Sequence, residues 1–196
     1  MNYPNGHHKK RKIANSLHNG TSQYANRGMT LENDINETNN LYLETNKAII
    51  HKKPTPVQIV KVDYPKRSAA VIKEAYFKQA STTDYNGLYK GKYIDFEAKE
   101  TKSRTSIPLA NIHEHQVQHM RSILEHGGIC FLIIRYALQN ETFLLPATSF
   151  LKVWEEQFQG GRKSISINFI RDNGYVIPFR YPARVDYLSI VDKLYF

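Results

Sequence analysis

Apolar positions along this chain change their spacing from one stretch to the next, and each change marks a predicted element. The opening MNYPNGHHKKRKIANSLHNGTSQYA has little periodicity and is rich in Asn, Gly, Ser and His, so no fixed structure is expected there. From about Asn26 to Thr45, apolar residues at Met29, Leu31, Ile35, Tyr42 and Leu43 predict a helix, weakened by its asparagines. KAIIH and PVQIVKV follow as strands, joined by KKPTP, whose prolines favour an extended connection or an edge. DYPKRSAAVIKEAYFKQAS then interleaves Lys66, Arg67, Lys73 and Lys78 with Tyr64, Tyr76 and Phe77. That mixture suits phosphate neutralisation combined with base stacking, and equally a solvated amphipathic element whose Tyr76 and Phe77 lie in the core.

In the second half, NIHEHQVQHMRSILEHGG reads as a helix with Ile112, Val117, Met120, Ile123 and Leu124 on its apolar face and Gly127 or Gly128 as its stop. ICFLIIRYAL is apolar throughout, which predicts a strand buried on both faces. A strand, a helix and a buried strand in succession predict a right-handed βαβ crossover. TFLLP continues as a strand. ATSFLKVWEEQFQ reads as an amphipathic helix with Phe150, Val153, Trp154 and Phe158 inward, KSISINFI as a further strand, and RYPARVDYLSIVDKLYF as an end closed by a short helix. The fold class expected is α/β, a mixed central β-sheet flanked by helices.

One predicted hairpin, STTDYNGLYKGKYIDFEAKE (81–100), carries more charge than a half-buried pair of strands needs. Along its second strand Ile94, Phe96 and Ala98 share an apolar face, while Tyr93, Asp95, Glu97 and Lys99 share the other. A two-residue turn at Lys90-Gly91 sets Asp84 opposite Glu97 and Thr82 opposite Lys99, on one side of the sheet. The dipeptide Asn86-Gly87 is the better turn sequence and would break this register. Lys90-Gly91 is preferred because two opposed carboxylates repel unless a cation lies between them. Mg²⁺, a hard ion held by one or two carboxylates plus substrate phosphate, fits that place. Lys99 would then offset charge developing on a phosphodiester under attack. Asp95 has no evident partner and is expected in solvent or behind the metal ligands. A salt-bridge ladder of Lys99 with Glu97 or Asp95 is the plainer alternative. His113, His115 and His119 are read as polar-face histidines, because the carboxylates call for a harder ion than zinc.

Composition narrows the partner. The chain of 196 residues suits one domain, and 41% hydrophobic content suits a folded one. Its net charge of +9 favours a polyanion, nucleic acid ahead of an acidic membrane surface. Residues 1–28 hold Lys9, Lys10, Arg11, Lys12 and Arg27 and no acid, which describes a basic arm. Cys130 is the one cysteine, so a disulfide framework or cysteine zinc site within one chain is excluded, and a core position is expected. With no signal-like apolar core at the start and no apolar run near the roughly 20 residues that span a bilayer, a cytoplasmic location is expected.

Asp84, followed by Glu97-Ala98-Lys99 on the next strand, resembles the PD-(D/E)XK nuclease superfamily, with Thr83 where that name has proline. YPNG, ANRGMTLENDIN, TTDYNGLYKGKYIDFEAKET and HEHQ together resemble RecU-type Holliday junction resolvases over almost the whole chain. The resemblance implies a restriction-endonuclease-like core and a homodimeric, Mg²⁺-dependent endonuclease that resolves four-way DNA junctions by paired cuts in recombination and repair. It implies a metal site at Thr82, Asp84, Glu97 and Gln116, with Lys99 as transition-state stabiliser. With the flexible basic arm that composition sets at residues 1–24 and a nuclease domain at 25–196, the resemblance implies within that domain a protruding stalk at about 52–79 that enters the junction, with Arg67 carried over. Glu32 is a further candidate to approach the metal, a surface position being the simpler expectation. The resemblance also implies an action on the RecA recombinase, so a non-catalytic DNA-binding modulator of RecA is the alternative function.

Overall fold

The computed structural model describes residues 30–78 and 82–196, without the side chain of Arg67. Thr30 starts helix α1 (Leu31–Glu44): its hydroxyl accepts the Asn33 N–H, and Leu31, Ile35 and Tyr42 recur on the buried face. Leu43, expected on that face, is 48% exposed. Strand β1 (Ile49–Lys52) follows, then β2 (Val57–Asp63) and β3 (Val71–Phe77), β4 (Tyr85–Tyr89) and β5 (Lys92–Thr101). The chain continues with β6 (Ser106–Pro108), helix α2 (Glu114–Glu125), β7 (Ile129–Tyr136), β8 (Glu141–Pro146) and helix α3 (Ala147–Glu156). It ends with β9 (Ser164–Ser166), helix α4 (Ile167–Asn173), β10 (Tyr175–Val176) and helix α5 (Leu188–Tyr195).

Six strands form one sheet in the order β1-β4-β5-β7-β8-β10, with β5 and β7 parallel and every other neighbouring pair antiparallel. The parallel pair is the one joined through α2, so the predicted crossover is present and the sheet is mixed. Alternation along β7 assigns the two cores: Phe131 and Ile133 join Leu31, Ile35, Leu188 and Val191 on one side. Cys130, Leu132 and Ile134 join Val117, Met120, Phe150 and Ile170 on the other. On β5 the first side takes Ile94 and Phe96, which leaves Asp95, Glu97 and Lys99 facing the α2 side.

The β4–β5 connection turns at Lys90 (φ 47°) and Gly91 (φ 76°), both left-handed as a type I′ turn requires. The register from Tyr85↔Phe96 to Tyr89↔Lys92 is the expected one. Gly87 is a strand residue, and its glycine has another cause. A Cβ at that position would collide with the Ile49 carbonyl oxygen and lie 2.6 Å from Ile50 Cα on β1.

Two further expectations fail, and one open alternative closes. KSISINFI is a strand only over Ser164–Ser166, because the Ser166 hydroxyl accepts the Phe169 N–H and starts α4, with Ile167 and Ile170 buried one turn apart. Phe158 sits in a 3₁₀ turn past the end of α3, 73% exposed, with its ring edge-on to Trp154. Tyr76 and Phe77 are 61% and 84% exposed, which removes the core option. They belong to β3, which pairs with β2 in a separate two-stranded ribbon whose residues are almost all exposed. No helix among the described residues is long and apolar enough to cross a membrane.

The close approach at Gly87 gives a test. Gly87→Ala is expected to lower stability by about 2 kcal/mol or more in urea unfolding, because backbone atoms cannot move aside as a flexible side chain can.

Candidate active site

The turn at Lys90-Gly91 carries the strand register up to the start of β4, where Asp84 meets Glu97. The Asp84 N–H donates to Glu97 Oε2 at 3.1 Å, and the Ala98 N–H reaches Asp84 Oδ2 at 3.5 Å. Glu97 is fully buried and Asp84 half-buried. Lys99 Nζ lies 2.6 Å from Glu97 Oε1. The contact is a close ion pair in which the ammonium stands where a bound cation could replace it. The expected ladder and the expected catalytic grouping coincide in these three residues.

Burial, and then the Asp84 charge, push the Glu97 carboxyl up from the ordinary 4.5 to about 7, against the opposing pull of Lys99 and Gln116. Glu32, Asp84 and Glu97 also act on the phenol of Tyr85, which burial, the largest cause, raises well above its usual value. The charge of all three carboxylates is thus felt at the start of β4, although only Asp84 and Glu97 are in direct contact. Glu32 and Asp84 line a hollow of about 270 Å³, and Glu32 Oε1 pairs with Lys52 Nζ at 2.5 Å.

Gln116, from the first turn of α2, is buried beside this group. Its Oε1 accepts the His113 N–H at 3.0 Å and so helps to cap the helix. The neutral oxygen expected at the metal is thus already engaged through one lone pair. Thr82 is half-buried, and its hydroxyl reaches the Thr83 carbonyl at 3.4 Å. With Lys52, Lys53, Lys78, Thr83 and Asp84 it lines a second hollow of about 260 Å³ at the base of the ribbon, where lysines before β2 and after β3 share the lining with the carboxylate.

Asp95 is not in solvent. It is fully buried and receives Lys53 Nζ at 2.9 Å, Tyr93 Oη at 3.0 Å and the Thr83 hydroxyl, with His119 Nε2 at 3.1 Å. Lys53 Nζ also donates to Thr83 Oγ1 at 3.1 Å. This carboxylate ties the ribbon base, the loop carrying Asp84 and helix α2 to β5. Sequence reasoning missed it because its partners come from three other elements. The signal present was an aspartate on a strand that borders the buried β7.

Among the DNA-contact candidates, Lys66 is exposed, Lys73 lies 3.6 Å from Asp63, and the Tyr76 hydroxyl donates to Glu74 at 2.6 Å. Lys78 and Phe77 are exposed at the end of β3. The Arg67 side chain and Lys9, Lys10, Arg11 and Lys12 lie outside the described residues. The His113 and His115 rings stack at 5.4 Å.

Two adjacent carboxylates, with further oxygens at the rim, suit a hard divalent cation. Among the described residues no three His, Cys, Asp or Glu side chains gather as a metal cage, so an ion held here would complete its shell with water and substrate oxygens. The sign of the Glu97 shift sets a test on metal-free protein. A folded-state value above the unfolded one favours folding fully below about 4.5, and that contribution is lost as pH rises through about 7. In EDTA, wild type is expected to lose up to roughly 3 kcal/mol between pH 5 and 8 relative to Glu97→Gln, read by urea unfolding.

The profile of the family described as "Recombination protein U" matches residues 26–193. The Holliday junction resolvase RecU of Oceanobacillus iheyensis is 62% identical over 196 residues, covering 100% of each chain. That of Geobacillus kaustophilus is 58% identical over 196 residues, covering 100% of this chain and 98% of its own. Among solved structures, Archaeoglobus fulgidus Hjc, a Holliday junction resolvase, aligns at a TM-score of 0.42 and 10% identity over 73% of this chain and 95% of its own, too distant to bear on the site. A profile match from the first helix to the last, with relatives more than half identical from end to end, establishes that the chain belongs to the recombination protein U family.

Proposed function

We propose that this chain is a Mg²⁺-dependent endonuclease that resolves four-way DNA junctions. The observation that carries the reading is the Asp84–Glu97 pair, two carboxylates held together on a sheet face with Lys99 beside them. The names of the relatives support the substrate. Burying Glu97 next to Asp84 works against stability, and such an arrangement is expected where function requires it. A non-catalytic modulator of RecA would have no use for that pair, although contact with the recombinase on another surface is compatible with this reading.

In the proposed mechanism Asp84 and Glu97 would hold the ion, with Thr82 and Gln116 as the further oxygen donors available to it. When bound, Mg²⁺ supplies Lewis-acid stabilisation of the phosphoryl oxygens and a more acidic water. Lys99 turns its ammonium from Glu97 toward the scissile phosphate as negative charge builds there. Gln116 caps the start of α2 through its bond to His113, and its side chain reaches Glu97 from there. Asp95 keeps Thr83, and with it the Asp84 loop, in register with β5. The β2–β3 ribbon acts as the stalk that enters the junction, presenting Lys66, Arg67, Lys73, Tyr76, Phe77 and Lys78 to backbone and bases. Residues 1–24 add a basic arm, and a homodimer places two such sites for paired cuts.

Asp84→Ala and Glu97→Ala are each expected to lower Mg²⁺-dependent cleavage of a mobile four-way junction at least about 100-fold. Junction binding in Ca²⁺ or EDTA is expected to change less than about threefold, as read by anisotropy beside a gel cleavage assay. Loss of binding in a folded variant would remove these residues from the catalytic assignment. Deleting residues 1–24 is expected to weaken binding and reduce its dependence on salt, measured by anisotropy across a KCl series.

A further inference from the structure

Away from the carboxylates, one surface gathers cations that the fold leaves unneutralised. Lys102 and Arg104 are exposed on the loop after β5, and Arg162 and Lys163 on the segment before β9. None of the four forms an ion pair among the described residues. Between them β6 and β9 pair with Ser106 opposite Ser166 and Ile107 opposite Ile165. The two isoleucines enter the core, so alternation brings the half-buried Ser106, Ser164 and Ser166 to the outer side. With Thr105, Arg162 and Asn168 they line a hollow of about 530 Å³. The adjoining hollow of about 350 Å³ contributes one acid, Glu156.

Both flanks of this surface are preorganised. Thr101 Oγ1 accepts the Ser103 N–H at 3.0 Å, and Ser103 Oγ accepts the N–H groups of Thr105 and Ser106, each at 3.3 Å. Gln139 Nε2 donates to the Arg104 carbonyl at 2.7 Å. On the other flank Gly160 turns at φ 86°, and the Gly161 N–H donates to the Glu156 carbonyl at 2.8 Å, which brings Arg162 to the mouth.

Hydroxyl and amide groups rimmed by guanidinium and ammonium are the usual contacts of a sugar-phosphate backbone. Position favours the same partner. Glu97, Lys99 and Thr101 share one face of β5, and a rise of about 3.3 Å per residue sets the surface on the order of 15 Å from Glu97. The ribbon continues from β1, whereas Ile107 and Ile165 belong to the core shared by α3 and α4. Ribbon and patch are each a separate two-stranded sheet, and both adjoin the strand that carries Glu97: the ribbon base through Lys53 on Asp95, the patch through the loop that leaves the end of β5.

We propose that the β6–β9 surface is a second DNA-backbone contact, which holds a duplex arm of the substrate by its phosphates about four to six nucleotides from the cut bond. It rests on the nuclease reading above and names where the arm of that substrate runs. The test combines Arg104→Ala, Arg162→Ala and Lys163→Ala in the full chain, with folding checked by thermal melting. Binding of a mobile four-way junction is measured by anisotropy at about 50 to 200 mM KCl, with ethylation interference to locate the contacted phosphates. The variant is expected to bind roughly 10- to 100-fold more weakly, with a salt slope smaller by about two to three. Interference at the phosphates about four to six nucleotides from the cut is expected in wild type and absent from the variant. An unchanged slope and interference pattern, with wild type binding normally, overturns this surface and leaves the nuclease reading standing. A changed sedimentation state with an unchanged slope also overturns it, and assigns the surface to a protein contact. A wild type that neither binds nor cuts junctions removes the reading on which the proposal rests.

Discussion

Repulsion between two neighbouring carboxylates is the constraint around which the rest is arranged. Asp84 and Glu97 are brought together by the β4–β5 register, and that register is fixed by left-handed backbone at Lys90 and Gly91. A slip by one residue would turn Ile94 and Phe96 toward the α2 side and Asp95 and Glu97 into the core against α1 and α5. The apolar face and the charged face therefore enforce each other. Phe96 stacks between Tyr85 and Phe131 at 4.8 and 4.9 Å, and this aromatic row keeps Glu97 on its side of the sheet.

Around that pair, countercharge is distributed rather than concentrated. Lys99 answers Glu97, Lys52 answers Glu32, and Lys53 answers Asp95, each at a different depth. The Lys99–Glu97 and Lys53–Asp95 pairs have buried carboxylates, so they contribute little net stability while intact and losing one partner costs about 3–5 kcal/mol, whereas Lys52–Glu32 lies at the surface and counts for little. Their effect is to fix geometry. The ribbon of β2 and β3 has no core of its own, with Val57, Ile59, Val71 and Ile72 about half exposed. Its orientation at the base therefore depends on attachments such as Lys53 to Asp95 more than on burial.

Local signals made much of this legible. Alternation separated the two faces of β5, unbroken apolarity identified β7, and opposed like charges chose Lys90-Gly91 over the stronger turn dipeptide Asn86-Gly87. What remained hidden depended on contacts between distant segments. Asn86-Gly87 looked like a turn because the need for glycine there comes from β1, some 37 residues upstream at Ile50. Asp95 was left between solvent and a place behind the metal ligands because Lys53, Thr83 and His119, which decide for burial, come from elsewhere in the chain. SINFI alternates well enough for a strand, and a single serine hydroxyl on the Phe169 N–H turns it into a helix. Gln116 was read as a ligand by resemblance, while its capping bond to His113 followed from a spacing of three that was there to be read.

Cys130 has a practical consequence for studying such a protein. It is the chain's one cysteine, fully buried near the start of β7, and burial raises its thiol well above the ordinary range. A thiol so protonated and enclosed is a poor nucleophile toward maleimides and iodoacetamides. The unmodified chain is thus a silent background for thiol labelling. A single cysteine introduced at an exposed point of the ribbon would carry a fluorophore or spin label with no native cysteine to remove first.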